Sequence, residues 1–171
     1  MKTQTIIFAL VTVIFAARAF ADHNQYDDEQ RQKQGHWTSH HDGEGHYVNG
    51  KKYGPWVYLF TNGALWKGTY VNGKKHGHWV EQDDKGRVDE GPYVDDKRHG
   101  KWTIRRSNGV MEEGPYVDGK RHGLWTFKFP SGVMERGGLV DGTQHGRWVW
   151  RFPDGRAIEV TYRMGAIVKV E

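Results

Sequence analysis

The chain has 171 residues, no cysteine, a formal charge of +4 and a mean hydropathy of −0.83. That length holds one ordinary domain, and the missing cysteine excludes disulfides, thiolate metal sites and thiol nucleophiles. Low hydropathy beside 23 glycines and eight tryptophans argues for a thin or elongated fold over a thick compact core.

Residues 1–21 read as a secretory signal peptide. Lys2 supplies a positive start, residues 6–17 form an apolar run, and Ala19-Phe20-Ala21 offers the small-x-small cleavage pattern before Asp22. The run is far short of the roughly 20 residues that span a membrane; an uncleaved N-terminal anchor is the alternative. Cleavage removes Lys2 and Arg18, so 171 − 21 = 150 residues remain with a charge of +4 − 2 = +2. The expected location is secreted or periplasmic. Residues 22–34 read as a disordered linker.

From Gly35 onward the chain repeats itself. Gly-x-Trp starts at Gly35, Gly54, Gly77, Gly100, Gly123 and Gly146, a step of 19 and then four steps of 23. Tyr47, Tyr70, Tyr93 and Tyr116 keep the step, with Leu139 in the next slot. Turn signals recur at Asn49-Gly50, Asn72-Gly73, Asp95-Asp96, Asp118-Gly119 and Asp141-Gly142, and a second glycine set at Gly63, Gly86, Gly109, Gly132 and Gly155. Asn-Gly and Asp-Gly between strand-like runs are strong hairpin signals. Each unit therefore reads as two short strands and two turns, and no stretch from Gly35 on has sustained helical periodicity.

An odd period fixes the parity of the turns, because side chains alternate faces along a strand. A two-residue turn at Asp95-Asp96 pairs Val94 with Lys97 and sets Gly91 opposite Gly100. A three-residue loop, Ser107-Asn108-Gly109, then keeps Gly114 and Tyr116 on the face of Tyr93 and Trp102, and sets Trp102 opposite Gly114. The Trp ring is expected to lie across that glycine and shield its backbone. The expected spine comprises Trp56, Trp79, Trp102, Trp125 and Trp148 with Tyr47, Tyr70, Tyr93 and Tyr116. Phe127, Phe129, Trp150 and Phe152 continue the face. Such hairpins are marginal alone and are stabilised by stacking.

The phrase "YVDGKRHGLW" from Tyr116 to Trp125 resembles the MORN (membrane occupation and recognition nexus) repeat, and more closely the bacterial MORN-variant family, some members of which are labelled antitoxin-like. The resemblance runs from Gly35 to about Gly165. The four central copies match well, and the first, at Gly35-His36-Trp37, is partial. The last hairpin keeps Tyr162 and Gly165 but continues Ala166-Ile167-Val168, so residues 166–171 read as a terminal strand or cap. The resemblance implies an all-β, elongated, single-layer antiparallel sheet of tandem 23-residue hairpins. It also implies a binding or scaffolding role, with phosphoinositide binding as the family's name-giving activity. The antitoxin label conflicts with the signal peptide.

Four residue sets could carry chemistry. The basic pairs Lys51-Lys52, Lys74-Lys75, Lys97-Arg98 and Lys120-Arg121 follow the first turn of each unit and are expected to form a stripe along one edge. That stripe reads either as edge protection or as a site for an anionic envelope lipid or polymer. His76, His99, His122 and His145 recur about 10 Å apart, too far to share one metal ion. They read as packing beside the turns. A denser group, His36, His40, His41, Asp42, Glu44 and His46, is the alternative metal site. Glu44, Glu90, Glu113 and Glu159 form an acidic ladder, but equivalent surroundings do not split carboxyl pKa values as acid–base catalysis requires. No catalytic signature occurs, so neither an enzyme, a cofactor nor a nucleic-acid partner is expected. The expected function is a non-enzymatic envelope module that binds an anionic lipid or polymer or docks an envelope protein. The alternatives are a homodimer paired through the apolar terminal strand at Ala166 to Val170 and a metal-binding envelope protein.

Overall fold

The computed structural model describes residues 25–26, 33–39 and 43–171; the segment read as a signal peptide lies outside them. The strands are β1 (Gln25–Tyr26), β2 (Lys33–Ser39), β3 (Gly43–Val48), β4 (Lys51–Leu59), β5 (Leu65–Val71), β6 (Lys74–Gln82), β7 (Val88–Val94), β8 (Lys97–Arg98), β9 (Gly100–Arg105), β10 (Met111–Val117), β11 (Lys120–Arg121), β12 (Gly123–Lys128), β13 (Met134–Val140), β14 (Thr143–Arg151), β15 (Ala157–Arg163) and β16 (Ala166–Val170). They form one open antiparallel sheet in chain order, with β8 and β11 as the first residues of the strands that β9 and β12 continue. The fold is all-β and single-layered, a run of tandem hairpins as the repeat predicts. Within the stretch read as a linker, Gln25 and Tyr26 pair with Gln34 and Lys33.

Both turn types follow the sequence. The two-residue turns hold both central residues at positive φ, as at Asn72 (52°) and Gly73 (82°). That is the type I′ geometry, whose twist matches the flanking strands. The Asp95-Asp96 turn reaches the same geometry with Asp96 at φ 68°. Its side chain accepts a hydrogen bond from the Lys75 amide at 2.7 Å. The turns also tie neighbouring units together, because Gly73, Asp96, Gly119, Gly142 and Gly165 donate amides to the carbonyls of Lys52, Lys75, Arg98, Arg121 and Gln144. At the other edge the three-residue loop Ser107-Asn108-Gly109 is present, closed by Gly109 N to Arg106 O at 2.9 Å.

The register of the first hairpin departs from the expected one. Val94 pairs with Lys97 and Tyr93 with Arg98, but Glu90 pairs with Thr103. Three steps on β7 thus match five on the facing strand, so a bulge of two extra residues sits around His99-Gly100. Gly91 consequently faces Trp102, not Gly100. The same two-residue shift occurs after Gly45, Lys67 and Gly137. Each bulge carries a glycine in the left-handed region, Gly100 at φ 74°. Two extra residues slide the register without exchanging faces, so the parity argument survives and the contact pattern changes.

Trp102 is paired with Gly114 as expected, yet its ring leans the other way. A Cβ on Gly91 would lie 2.5 Å from the Trp102 ring, and one on Gly114 would lie 2.3 Å from the Trp125 ring. Trp56, Trp79, Trp102, Trp125 and Trp148 therefore each cover the glycine of the preceding strand. The bulge decides this: the Pro92 carbonyl beside it accepts both the His99 amide and the Trp102 indole N–H, each at 2.9 Å. The same bond joins Trp79 to Thr69 O and Trp125 to Pro115 O.

Tyr rings stand edge-on between the indoles. Tyr93 lies 5.1 Å from Trp102 at 88°, and Trp102 lies 5.9 Å from Tyr116 at 70°. These edge-to-face contacts add about 0.5–1.5 kcal/mol each beyond burial. The chain of rings runs unbroken from Trp37 to Tyr162. Where Leu139 replaces the tyrosine, Phe127 bridges Trp125 and Trp148 at 6.1 and 6.0 Å. Trp79, Trp102 and Trp125 are fully buried.

Candidate functional site

The four basic pairs do not act as one stripe. Consecutive strand residues face opposite ways, and the second member of each pair points onto the tryptophan face. Lys52 Nζ lies 4.5 Å from the Trp56 ring and Lys75 Nζ 4.4 Å from Trp79. The Arg98 guanidinium lies 4.1 Å from Trp102 and that of Arg121 4.3 Å from Trp125. Such cation–π contacts are worth about 0.5–2 kcal/mol each, more where water is excluded. Half of the expected stripe is therefore the lid of the core. The first members, Lys51, Lys74, Lys97 and Lys120, are exposed beside the turns. Lys120 Nζ approaches Asp141 at 3.6 Å.

Lys75, Arg98 and Arg121 of the lid are neutralised by acids that the sequence pattern did not single out. Asp89 and Glu112 are buried on the tryptophan face. Arg98 reaches Asp89 at 2.7 Å and Glu81 at 3.0 Å, and Lys75 reaches Glu81 at 2.5 Å. Glu112 is held by Arg106 and Arg121. The signal was present in the doubled acids Asp89-Glu90 and Glu112-Glu113, since adjacent strand residues must divide between the faces. The ladder residues Glu90 and Glu113 are the half-buried members of these doublets, on the opposite face.

Electrostatics follow from this burial. Desolvation opposes ionisation of Asp89, but the hydrogen bonds from Arg87 and Arg98 outweigh it and hold the carboxyl below its ordinary value. Desolvation pushes the Tyr93 hydroxyl up to about 12, with the nearby Glu81 charge adding to the rise and Arg98 opposing it. Desolvation also works against the Arg98 cation, yet Tyr93 and Asp89 keep its pKa above the ordinary value.

The opposite face carries exposed ion pairs. Glu90 contacts His78 at 3.1 Å and Arg105 at 3.4 Å, and Glu113 contacts Lys128 at 3.9 Å. The repeated histidines sit beside the turns: His122 Nδ1 lies 3.6 Å from Asp141, and the Met164 amide donates to His145 Nδ1 at 3.4 Å. In the N-terminal group the His36 and His46 rings lie 5.0 Å apart, and His36 Nε2 is 3.3 Å from Glu44. His40, His41 and Asp42 lie outside the described residues. Among the described residues no three His, Asp or Glu side chains converge on a point that could hold a metal ion.

The geometry thus leaves the exposed lysines of the turn edge as what remains of the expected binding surface. No family model and no curated protein matches the chain.

Proposed function

We propose that the protein is an exported, non-enzymatic repeat module that binds an anionic envelope surface, lipid or polymer, through Lys51, Lys74, Lys97 and Lys120. The observation that supports this reading is the division of labour within each basic pair. One cation of each pair caps a buried tryptophan, and the other is left exposed at the same edge in every unit. Equivalent positions two strands apart recur about every 10 Å. The resulting row suits an extended, repeating array of negative charge better than a small ligand. Signal-peptide and MORN-like features of the sequence point the same way.

The four lysines set a modest affinity. Each basic residue near an anionic membrane contributes about 1 kcal/mol, so the row supplies about 4 kcal/mol, a millimolar contact for one molecule. Useful retention then requires many copies on one surface and low salt, because the Debye length at 0.1 M is about 10 Å. Sedimentation with vesicles of phosphatidylglycerol and phosphatidylcholine tests the reading. Replacing all four lysines with serine is expected to abolish retention at low salt while the circular dichroism stays unchanged. Retention that survives both the substitutions and 1 M salt, where screening reaches about 3 Å, would show that another surface or a protein partner does the binding.

A second reading rests on β16, whose five residues are all exposed at the outer side of the described sheet. An exposed apolar strand edge is a pairing site, and pairing of two copies there would give a dimer. Val168→Pro should then lower the sedimentation mass; an unchanged monomer at high micromolar concentration counts against it.

A further inference from the structure

On the face opposite the tryptophans the acidic column is broken at Lys67 and again at Arg136, and the second break gathers further cations around it. Position 136 belongs to the column of Glu90 and Glu113, since 90 + 23 = 113 and 113 + 23 = 136, but the residue there is Arg136. In the two preceding units that column neutralises its neighbours: Glu90 takes Arg105, and Glu113 takes Lys128. The next member of the basic column, 128 + 23 = 151, is Arg151. The pair that should neutralise is therefore two cations. His78, the other partner of Glu90, corresponds to Leu124 beside Arg136.

These changes meet in a hollow of about 310 Å³ over β12, β13 and β14. It is lined by Arg136, Arg147 and Arg151 together with Thr126 and the apolar side chains of Leu124, Met134 and Val149. Register confirms the grouping, with Arg136 paired to Thr126 on one side and Val149 on the other. Arg147 is chelated by Glu159, its Nε 2.6 Å from one carboxylate oxygen. Neither Arg136 nor Arg151 has a carboxylate within ion-pair distance among the described residues. Three guanidiniums thus face one acid, beside exposed aliphatic surface. Leu124 is half exposed beside them.

We propose that this hollow binds a small amphipathic oxyanion, a carboxylate or phosphate group attached to a short apolar body. Guanidinium groups recognise such oxyanions through paired, charge-assisted hydrogen bonds. Leu124, Met134 and Val149 would cover the apolar part. The volume lies at the low end of small-molecule sites, which fits a short chain or a single ring. The site is separate from the lysine row and does not depend on it.

The test is calorimetric titration of the full chain with octanoate and with octyl phosphate, both below their micellar concentrations. Inorganic phosphate and octyltrimethylammonium are the controls. Saturable binding of at least one amphipathic anion is expected, with both controls about ten-fold weaker or more, the scale of one lost charge-assisted contact. Preference between octanoate and octyl phosphate identifies the head group. Arg136→Glu, which restores the acid of the two preceding units, should lower affinity at least about ten-fold. Arg151→Ser provides the same test at an exposed position should Arg136→Glu disturb the melting curve. Serine at the four turn-edge lysines should leave this binding intact, so failure of one site is distinguishable from failure of the other. Absence of binding, equal binding of inorganic phosphate or the alkylammonium, or full affinity in both arginine variants would overturn the proposal.

Discussion

The contact between Trp102 and Gly91 can be measured as a coupling. Trp102 is fully buried, lies against Tyr93 and Tyr116, is capped by Arg98 and donates its indole N–H to Pro92. Trp102→Ala should cost about 3–5 kcal/mol for the lost packing, with about 1 kcal/mol more from the lost indole hydrogen bond. Gly91→Ala acts on the same contact from the other side. The new Cβ would sit 2.5 Å from two ring atoms, closer than side chains tolerate. The ring must lift, at about 1–3 kcal/mol, the usual cost of overpacking. Once Trp102 is alanine, that clash is gone. The double variant should then be only as unstable as Trp102→Ala alone, giving a coupling of about 1–3 kcal/mol. Urea unfolding followed by far-ultraviolet circular dichroism measures all four corners of the cycle. Additive effects, with a coupling below about 0.5 kcal/mol, would refute the claim that each ring covers the glycine of the preceding strand.

Deleting residues 97–119, one full period, should leave a shorter sheet with the same β signal per residue, because each hairpin contacts its neighbours in the stack; wholesale loss of that signal would mean a closed core. Met164 occupies a left-handed turn position at φ 47°, where the five earlier turns use Asn or Asp, so Met164→Asn should stabilise the chain by about 0.5–1 kcal/mol in urea titrations. Asp89 has a depressed folded pKa, so its contribution is fully present above its ordinary value of 3.8 and is lost as the pH falls through the lower folded value. Asp89→Asn should flatten that acid limb of a stability–pH curve. Tyr93 has the opposite sign: its folded pKa is raised, so its contribution holds below 10.0 and is lost as the pH rises towards about 12. Tyr93→Phe should remove that alkaline loss.

Much of the fold was legible because its signals are local. A type I′ turn needs two residues that accept positive φ, and Asn72-Gly73 or Asp118-Gly119 announces it. The three-residue loop at Ser107-Asn108-Gly109 and the face shared by Tyr93 and Trp102 followed from the parity of 23. The pairing of Trp102 with Gly114 was legible too. What the linear pattern did not carry was the two-residue bulge at His99-Gly100. A glycine at a bulge and a glycine kept small for a neighbouring ring look alike in a sequence, and only the positive φ of Gly100 separates it from Gly91.

The candidate site divides along the same line. Composition and spacing marked every basic pair, because like residues at a fixed step need no three-dimensional knowledge. Which member is available for binding depended on which face each side chain takes and on what meets it there. The bulge brings Trp102 beneath Arg98, and the cross-strand register brings Asp89 to the same guanidinium. Lys97 and Arg98 are neighbours in the chain, yet one is bathed in water and the other closes the core. Residue order is enough to specify the repeat, the turns and the aromatic spine; which charges stay exposed is set only in the folded sheet, because burial and pairing are properties of strands brought together, not of residues in order.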